Sequence, residues 1–163
     1  MLVEKDLNEK LKKIKLLALD VDGVLTDGSF FWGNSGEEFK RFSFYDIMGL
    51  SQAVKSGLKV CLISGENSPL VERFSKKINL TAFFTGIKNK GECLDSFMLK
   101  QGLTKEEVCF IGDDINDVSA FKACGVAIAT QNATQSILEY VHYQTKRNGG
   151  DGAVREVVEI ILS

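Results

Sequence analysis

The chain has 163 residues, a length expected to form one domain spanning 1–163. A chain this long buries roughly 70% of the surface its unfolded form exposes, so its core needs no disulfide or structural-metal staple. Its residues are 44% apolar and 26% charged, with a formal net charge of -2. That balance gives no reason to expect nucleic acid or an anionic membrane as partner. No apolar run approaches the ~20 residues needed to span a bilayer. Cys61, Cys93, Cys109 and Cys124 form no C-x-x-C pair and lie in apolar segments, which reads as reduced thiols of a cytoplasmic protein.

In chain order, the opening segment MLVEKDLNEKLKKIK is charged throughout and reads as no secretion signal. KLLALDVDG is a continuous apolar run ending in acids, the pattern of a parallel strand covered on both faces. Next comes SFFWGNSGEEFKRFSF, at 29–44, whose aromatics flank the turn signal Gly33-Asn34-Ser35-Gly36. It reads as a β-hairpin inserted after the first strand, and its aromatics point to packing on another subunit. KVCLISG at 59–65, TAFFTG at 81–86, EVCFIGDD at 107–114 and VAIAT at 126–130 are the further strands. Leu70, Val71, Phe74 and Ile78 share one face of a helix over 68–78, with Ser68 as N-cap and Pro69 in its first turn. Val154, Val157, Val158 and Ile161 do the same over 151–162, with Asp151 as N-cap if the preceding glycine-rich segment is a plain turn. Gly57, Gly102 and Gly125 stand where helices stop. The alternation predicts a doubly wound Rossmann-like α/β sheet, with its ligand beyond the carboxyl ends of the strands.

The acids fall at those ends. Asp20 and Asp22 close the first strand, and a period of two starts both side chains on one side. Asp113, Asp114 and Asp117 follow the fourth strand, Ser64 the second and Lys90 the third. Carboxylates converging at one edge repel one another, and a divalent cation removes the conflict. Hard oxygen donors with open water positions suit Mg²⁺. The carboxylates of Asp20, Asp22 and Asp113 are expected to gather at one rim around it.

D-V-D-G-V-L-T-D-G, Ser64, Lys90 and G-D-D-I-N-D together resemble the four motifs of the haloacid dehalogenase superfamily. The likeness runs from about Lys15 to Ile161 and is greatest to the cap-less phosphatases of the 3-deoxy-D-manno-octulosonate (KDO) 8-phosphate type. It includes F-x-x-x-D-x-x-G at 42–49 and G-G-D-G-A-V-R-E near the C-terminus. The resemblance implies Asp20 as nucleophile, Asp22 as general acid and base, and Ser64 and Lys90 as phosphoryl binders. It implies Mg²⁺ held by Asp20, the backbone carbonyl of Asp22 and Asp113, with Asp114 and Asp117 steadying Lys90 and the metal's water shell. It also implies a homotetramer in which hairpins join and a neighbour closes each site.

Substrate contacts are expected at Asp46 and Gly49, at Gly65 and Glu66, at Arg73 and Lys77 along the following helix, and at Arg147, Gly149 and Gly150, in the segment expected to reach a neighbouring subunit's site. Two departures from the octulosonate pattern stand out. This chain reads Asp46-Ile47-Met48-Gly49 where D-G-x-G is usual, and Ser64-Gly65-Glu66 where T-G-R is usual. An acid replacing a cation reverses the local field, and Glu there resembles the relatives that act on nine-carbon sugar acids. The expected reaction is therefore hydrolysis of a 2-keto-3-deoxy sugar acid phosphate, eight-carbon first and nine-carbon (nononate or sialate 9-phosphate) as the alternative. A phospho-receiver module fits less well, because receivers place adjacent acids after the first strand and the acceptor after the third. A non-catalytic relative is disfavoured because every catalytic side chain is present. His142 and Trp32 read as packing or interface residues.

Overall fold

The computed structural model describes residues 4–163; the first three residues of the charged opening segment lie outside the described residues. Eight strands and six α-helices follow one another as α1 (Glu4–Leu11), β1 (Leu16–Leu19), β2 (Phe31–Trp32), β3 (Glu38–Phe39), α2 (Phe44–Lys55), β4 (Lys59–Ile63), α3 (Pro69–Lys77), β5 (Ala82–Phe84), α4 (Lys90–Gln101), β6 (Val108–Gly112), α5 (Val118–Ala123), β7 (Val126–Ala129), β8 (Tyr143–Gln144) and α6 (Ala153–Leu162). Six strands form a parallel sheet in the order β5-β4-β1-β6-β7-β8. Strand order reverses beside β1, which lies between β4 and β6, and a doubly wound sheet opens its ligand crevice at such a point.

Alternate side chains of each central strand feed opposite cores. Leu17, Leu19, Val60, Leu62, Cys109 and Ile111 pack with Leu50, Val71, Phe74, Val154 and Val158 from α2, α3 and α6. Leu16, Ala18, Cys61, Ile63, Phe110 and Ala127 pack with Leu94, Phe97, Ala120 and Phe121 from α4 and α5. Both faces are covered, which is why these strands read as unbroken apolar runs. Among the described residues no helix is long and apolar enough to cross a membrane.

Helix ends follow local chemistry. Ser68 caps α3 through Leu70 N–H with Pro69 at the first position, and Gly102 ends α4 at φ 65°. The last helix differs from expectation. Its N-cap is Gly152, at φ 96°, not Asp151. The capping carboxylate comes from far away in sequence: Asp46 accepts from Gly152 N–H and Arg155 N–H, each at 3.1 Å. Asp46 is only 1% exposed, and burial raises its pKa while the amide hydrogen bonds act against that rise. Gly49, one turn along α2, lies against α6, where a Cβ would meet Arg155 Cα at 2.9 Å. Asp46 and Gly49, expected to bind substrate, thus join α2 to α6 in this structure.

The inserted segment forms the expected antiparallel hairpin of β2 and β3, pairing Phe31 with Phe39 and Trp32 with Glu38. Its aromatics face solvent in the monomer: Phe31 is 64% and Trp32 73% exposed.

Candidate active site

The loop leaving β1 is a tight turn in which Val21 carbonyl accepts from Val24, Leu25 and Thr26 N–H. Gly23 adopts φ 84° there, and the Asp113 carboxylate occupies the space a Cβ would need, with Oδ2 at 2.0 Å from that position. A side chain at position 23 is thus excluded twice, by backbone conformation and by an acid. Asp20 extends the ladder, donating its N–H to Ile111 carbonyl at 2.9 Å, and its Oδ1 accepts from Val21 N–H at 2.7 Å.

Lys90, the first residue of α4 behind the Asn89 cap, is 1% exposed. Its Nζ lies 2.9 Å from Asp20 Oδ2 and 2.7 Å from Asp117 Oδ1. Burial alone would depress the lysine pKa, but Asp20 and Asp117 outweigh it and raise the value above the ordinary range. The other oxygen of Asp117 accepts from the N–H groups of Asp113 (2.8 Å) and Asp114 (3.3 Å). Asp117 therefore ties the β6 loop to the lysine. Gly112 lets it approach, since a Cβ there would meet Asp117 Oδ2 at 2.5 Å.

Carboxylate oxygens of Asp20, Asp113 and Asp117 lie within 4.8 Å of one another. Burial first, then the charge of Asp117, pushes Asp20 up to about 7 against the pull of Lys90. Burial and then Asp20, Asp117 and Asp114 push Asp113 up to about 8. One ammonium does not balance these acids. The surplus negative charge and the all-oxygen donor set fit a hard divalent cation held by Asp20 and Asp113. One expectation needs correction: the carboxylates that gather are those of Asp20, Asp113 and Asp117. Asp22 turns its carboxylate to Lys40, at 2.5 Å, leaving only its backbone as a candidate ligand. Asp114 also differs from expectation. It does not reach Lys90; its Oδ1 accepts from Ile115 N–H (2.7 Å) and from Thr134 Oγ1 (3.3 Å), capping the short turn 115–117.

A cleft of about 290 Å³ opens over these acids, lined by Asp20, Asp22, Gly28, Gly65, Glu66, Asp113, Asp114, Ile115 and Asn116. Ser64 is fully buried beside it, its Oγ accepting from Glu66 N–H at 3.2 Å. A larger cavity of about 490 Å³ lies at the start of β7, among Lys10, Lys13, Lys105, Lys122, Tyr140 and His142, with no converging carboxylates. His142 Nδ1 there accepts from Ala127 N–H at 3.0 Å, a packing role as expected.

Arg73 and Lys77 are exposed on α3 and do not line the cleft; Arg147, expected at a neighbour's site, is exposed before α6. Gly149 and Gly150 do not offer free N–H groups. Gly149 donates to Asn132 Oδ1 (2.6 Å) and Gly150 to Val24 carbonyl (3.0 Å), so this segment clamps its own chain's β1 loop. Lys40 escaped the sequence reading. The signal for it was modest: period two along β3 puts Glu38 and Lys40 on the face opposite Phe39.

Aspartates clamped by a buried lysine at the switch point of a parallel sheet fit the site of a hydrolase. The family profile of the haloacid dehalogenase-like hydrolases matches residues 85–157. The KDO 8-phosphate phosphatase KdsC of Escherichia coli K12 is 36% identical over 160 residues, covering 98% of this chain and 85% of that protein. The Haemophilus influenzae KdsC is 35% identical, covering 96% and 87%. The crystal structure of the Moraxella catarrhalis KDO 8-phosphate phosphatase, in complex with magnesium ion, phosphate ion and KDO, superposes with a TM-score of 0.95 at 34% identity, covering 98% and 92%. The chain belongs to the haloacid dehalogenase-like hydrolase family.

Proposed function

We propose that this protein is a Mg²⁺-dependent phosphatase acting on the phosphate monoester of a 2-keto-3-deoxy sugar acid, the eight-carbon KDO 8-phosphate first. The observation that carries the reading is the clamp of Lys90 on Asp20 beside Asp113, at the mouth of a cleft bordered by Asp22. Near-complete alignment with phosphatases of that sugar acid supports the substrate class.

An Asp20 carboxylate oxygen attacks phosphorus, forming an acyl-phosphate bond while the bond to the sugar oxygen breaks. Asp22 gives the departing alkoxide a proton, then takes one from the water that cleaves the acyl phosphate. Inorganic phosphate leaves and Asp20 is restored. Lys90 carries positive charge against Asp20 throughout, and Ser64 and the N–H groups after Asp20 would bind phosphoryl oxygens. Mg²⁺, when bound by Asp20, the Asp22 carbonyl and Asp113, supplies charge that offsets repulsion between the anionic nucleophile and the anionic ester.

Glu66 in the cleft wall favours a second reading, a nine-carbon sugar acid 9-phosphate. Steady-state phosphate release from both substrates with Mg²⁺ decides: a higher kcat/KM on the eight-carbon ester supports the first reading, a higher value on the nine-carbon ester the second. Equally feeble rates on both overturn the sugar-acid assignment.

Assembly is part of the proposal. Phe31, Trp32 and Phe39 on the hairpin, with Phe44 and Tyr45 at the start of α2, form an exposed apolar band suited to other copies of this chain, as a tetramer. A monomeric mass for active enzyme in solution would overturn that. The four cysteines are all free thiols, which supports a reducing, cytoplasmic setting.

A further inference from the structure

Asp22 has a partner that the acid motifs do not account for. Lys40, immediately after β3, has a side chain only 2% exposed, with Nζ 2.5 Å from Asp22 Oδ1 and 3.7 Å from Glu38 Oε1. The same amine sits 5.8 Å from the centre of the Phe30 ring. Glu38 Oε1 in turn accepts from Ser68 Oγ at 3.3 Å, and Ser68 is the cap of α3. One chain of contacts therefore joins the hairpin, the loop after the nucleophile and the helix behind Glu66. An exposed ion pair contributes little, because two long side chains must be ordered in water. A lysine buried to this extent is different: the ammonium is costly without its carboxylates, so the pair holds one geometry.

We propose that Lys40 is the positioning residue for Asp22. It fixes the carboxylate so that Asp22 presents its other oxygen to the leaving group, and it does so from the hairpin. Correct seating of the hairpin then becomes a condition for proton transfer to the sugar alkoxide. The inference rests on the reading of Asp22 as acid and base. Proton transfer demands hydrogen-bond reach, and a misplacement of about 1 Å costs up to ~100-fold in rate.

The test uses Lys40→Met, which keeps the apolar stem beside Phe30, on two esters with Mg²⁺ present. An alkyl or sugar phosphate expels a poor leaving group that must be protonated. p-Nitrophenyl phosphate expels a phenolate that leaves with its electron pair and needs no proton. The expected result is a ~10- to 100-fold fall in kcat on the alkyl ester with KM within about twofold. The first-turnover release of nitrophenolate stays within about threefold of the parent rate. An equal fall in the alkyl-ester kcat and in the first-turnover nitrophenolate rate, a change confined to KM, or no change would each overturn the proposal. Lys40→Gln serves with the same expectations if the methionine variant does not fold. Asp22→Asn separates the two levels: if it leaves alkyl-ester turnover intact, the reading of Asp22 fails. If Asp22→Asn abolishes turnover and Lys40→Met is harmless, only the role of Lys40 fails.

Discussion

The carboxyl edge of the sheet and the hairpin that adjoins it depart from ordinary burial rules in opposite directions. At the edge, charge is inside: Asp20 is 5% exposed, Lys90 1% and Asp117 0%. On the hairpin, large apolar surface is outside, with Phe31 and Trp32 mostly exposed. Buried charge costs stability unless it is paired, and exposed aromatics cost solubility unless they are covered. Each region therefore has room for something that completes it: a cation and a phosphoryl group for the first and, as proposed, another copy of the chain for the second.

The largest effect expected is at the edge. Asp20→Asn should lower phosphate release by at least ~10⁴-fold, the scale seen when a nucleophile is removed. Calorimetry should find cooperative unfolding undiminished, because the change removes a like charge from Asp113 and Asp117. Residual turnover near the parent rate would mean the nucleophile lies elsewhere.

Lys90→Met should follow, destabilising the fold by about 3–5 kcal/mol in urea titrations near pH 8, because two buried carboxylates lose their counter-charge. The loss should shrink at pH 6, where Asp20, raised to about 7, takes up a proton more easily.

Metal and pH sharpen the same contrast. Asp20 and Asp113 are raised in the metal-free fold, to about 7 and about 8, above the ordinary 3.8. Between the unfolded and folded values the native state binds more protons, so what these two groups contribute to metal-free stability is fully present below the ordinary 3.8 and is lost as pH rises from there through the folded values of about 7 and about 8. Metal needs both groups ionised. The melting-temperature increase on adding Mg²⁺ should therefore be larger at pH 8.5 than at pH 6, and EDTA should abolish activity until Mg²⁺ is restored. An equal increase at both pH values would deny these carboxylates the ligand role.

The smallest effect on the isolated subunit should come from Phe31→Ser with Trp32→Ser. Chain stability should move by no more than ~0.5 kcal/mol, since neither side chain packs in the core. The mass in solution should drop all the same. Unchanged mass would show that the band is not the contact between copies.

The same contrast explains what the sequence revealed. Strands ending in acids were legible because a parallel strand covered on both faces is an unbroken apolar run, and the acids mark where it leaves the core. The hairpin was legible from Gly33-Asn34-Ser35-Gly36 between aromatics. Contacts between distant segments were not. Asp46 looked like a ligand-binding acid, yet it caps a helix 106 positions later, through Gly152 N–H. Gly149 and Gly150 looked like donors for a neighbour's ligand, yet their N–H groups are consumed at home. Asp22 looked like a third carboxylate of the cluster, and Lys40 draws it aside. The strand β8 escaped because two residues carry no period; its pairing with β7 alone defines it.

The seam between the segment before α6 and the β1 loop has a practical use. Gly149 lies so close to the loop after Asp20 that a Cβ on it would fall 1.9 Å from Gly23 carbonyl oxygen, and Gly150 N–H closes onto Val24 carbonyl at 3.0 Å. The exchange rate of that one amide with deuterated water is thus a gauge of how firmly the loop is held, readable in the resting enzyme before any ester is added.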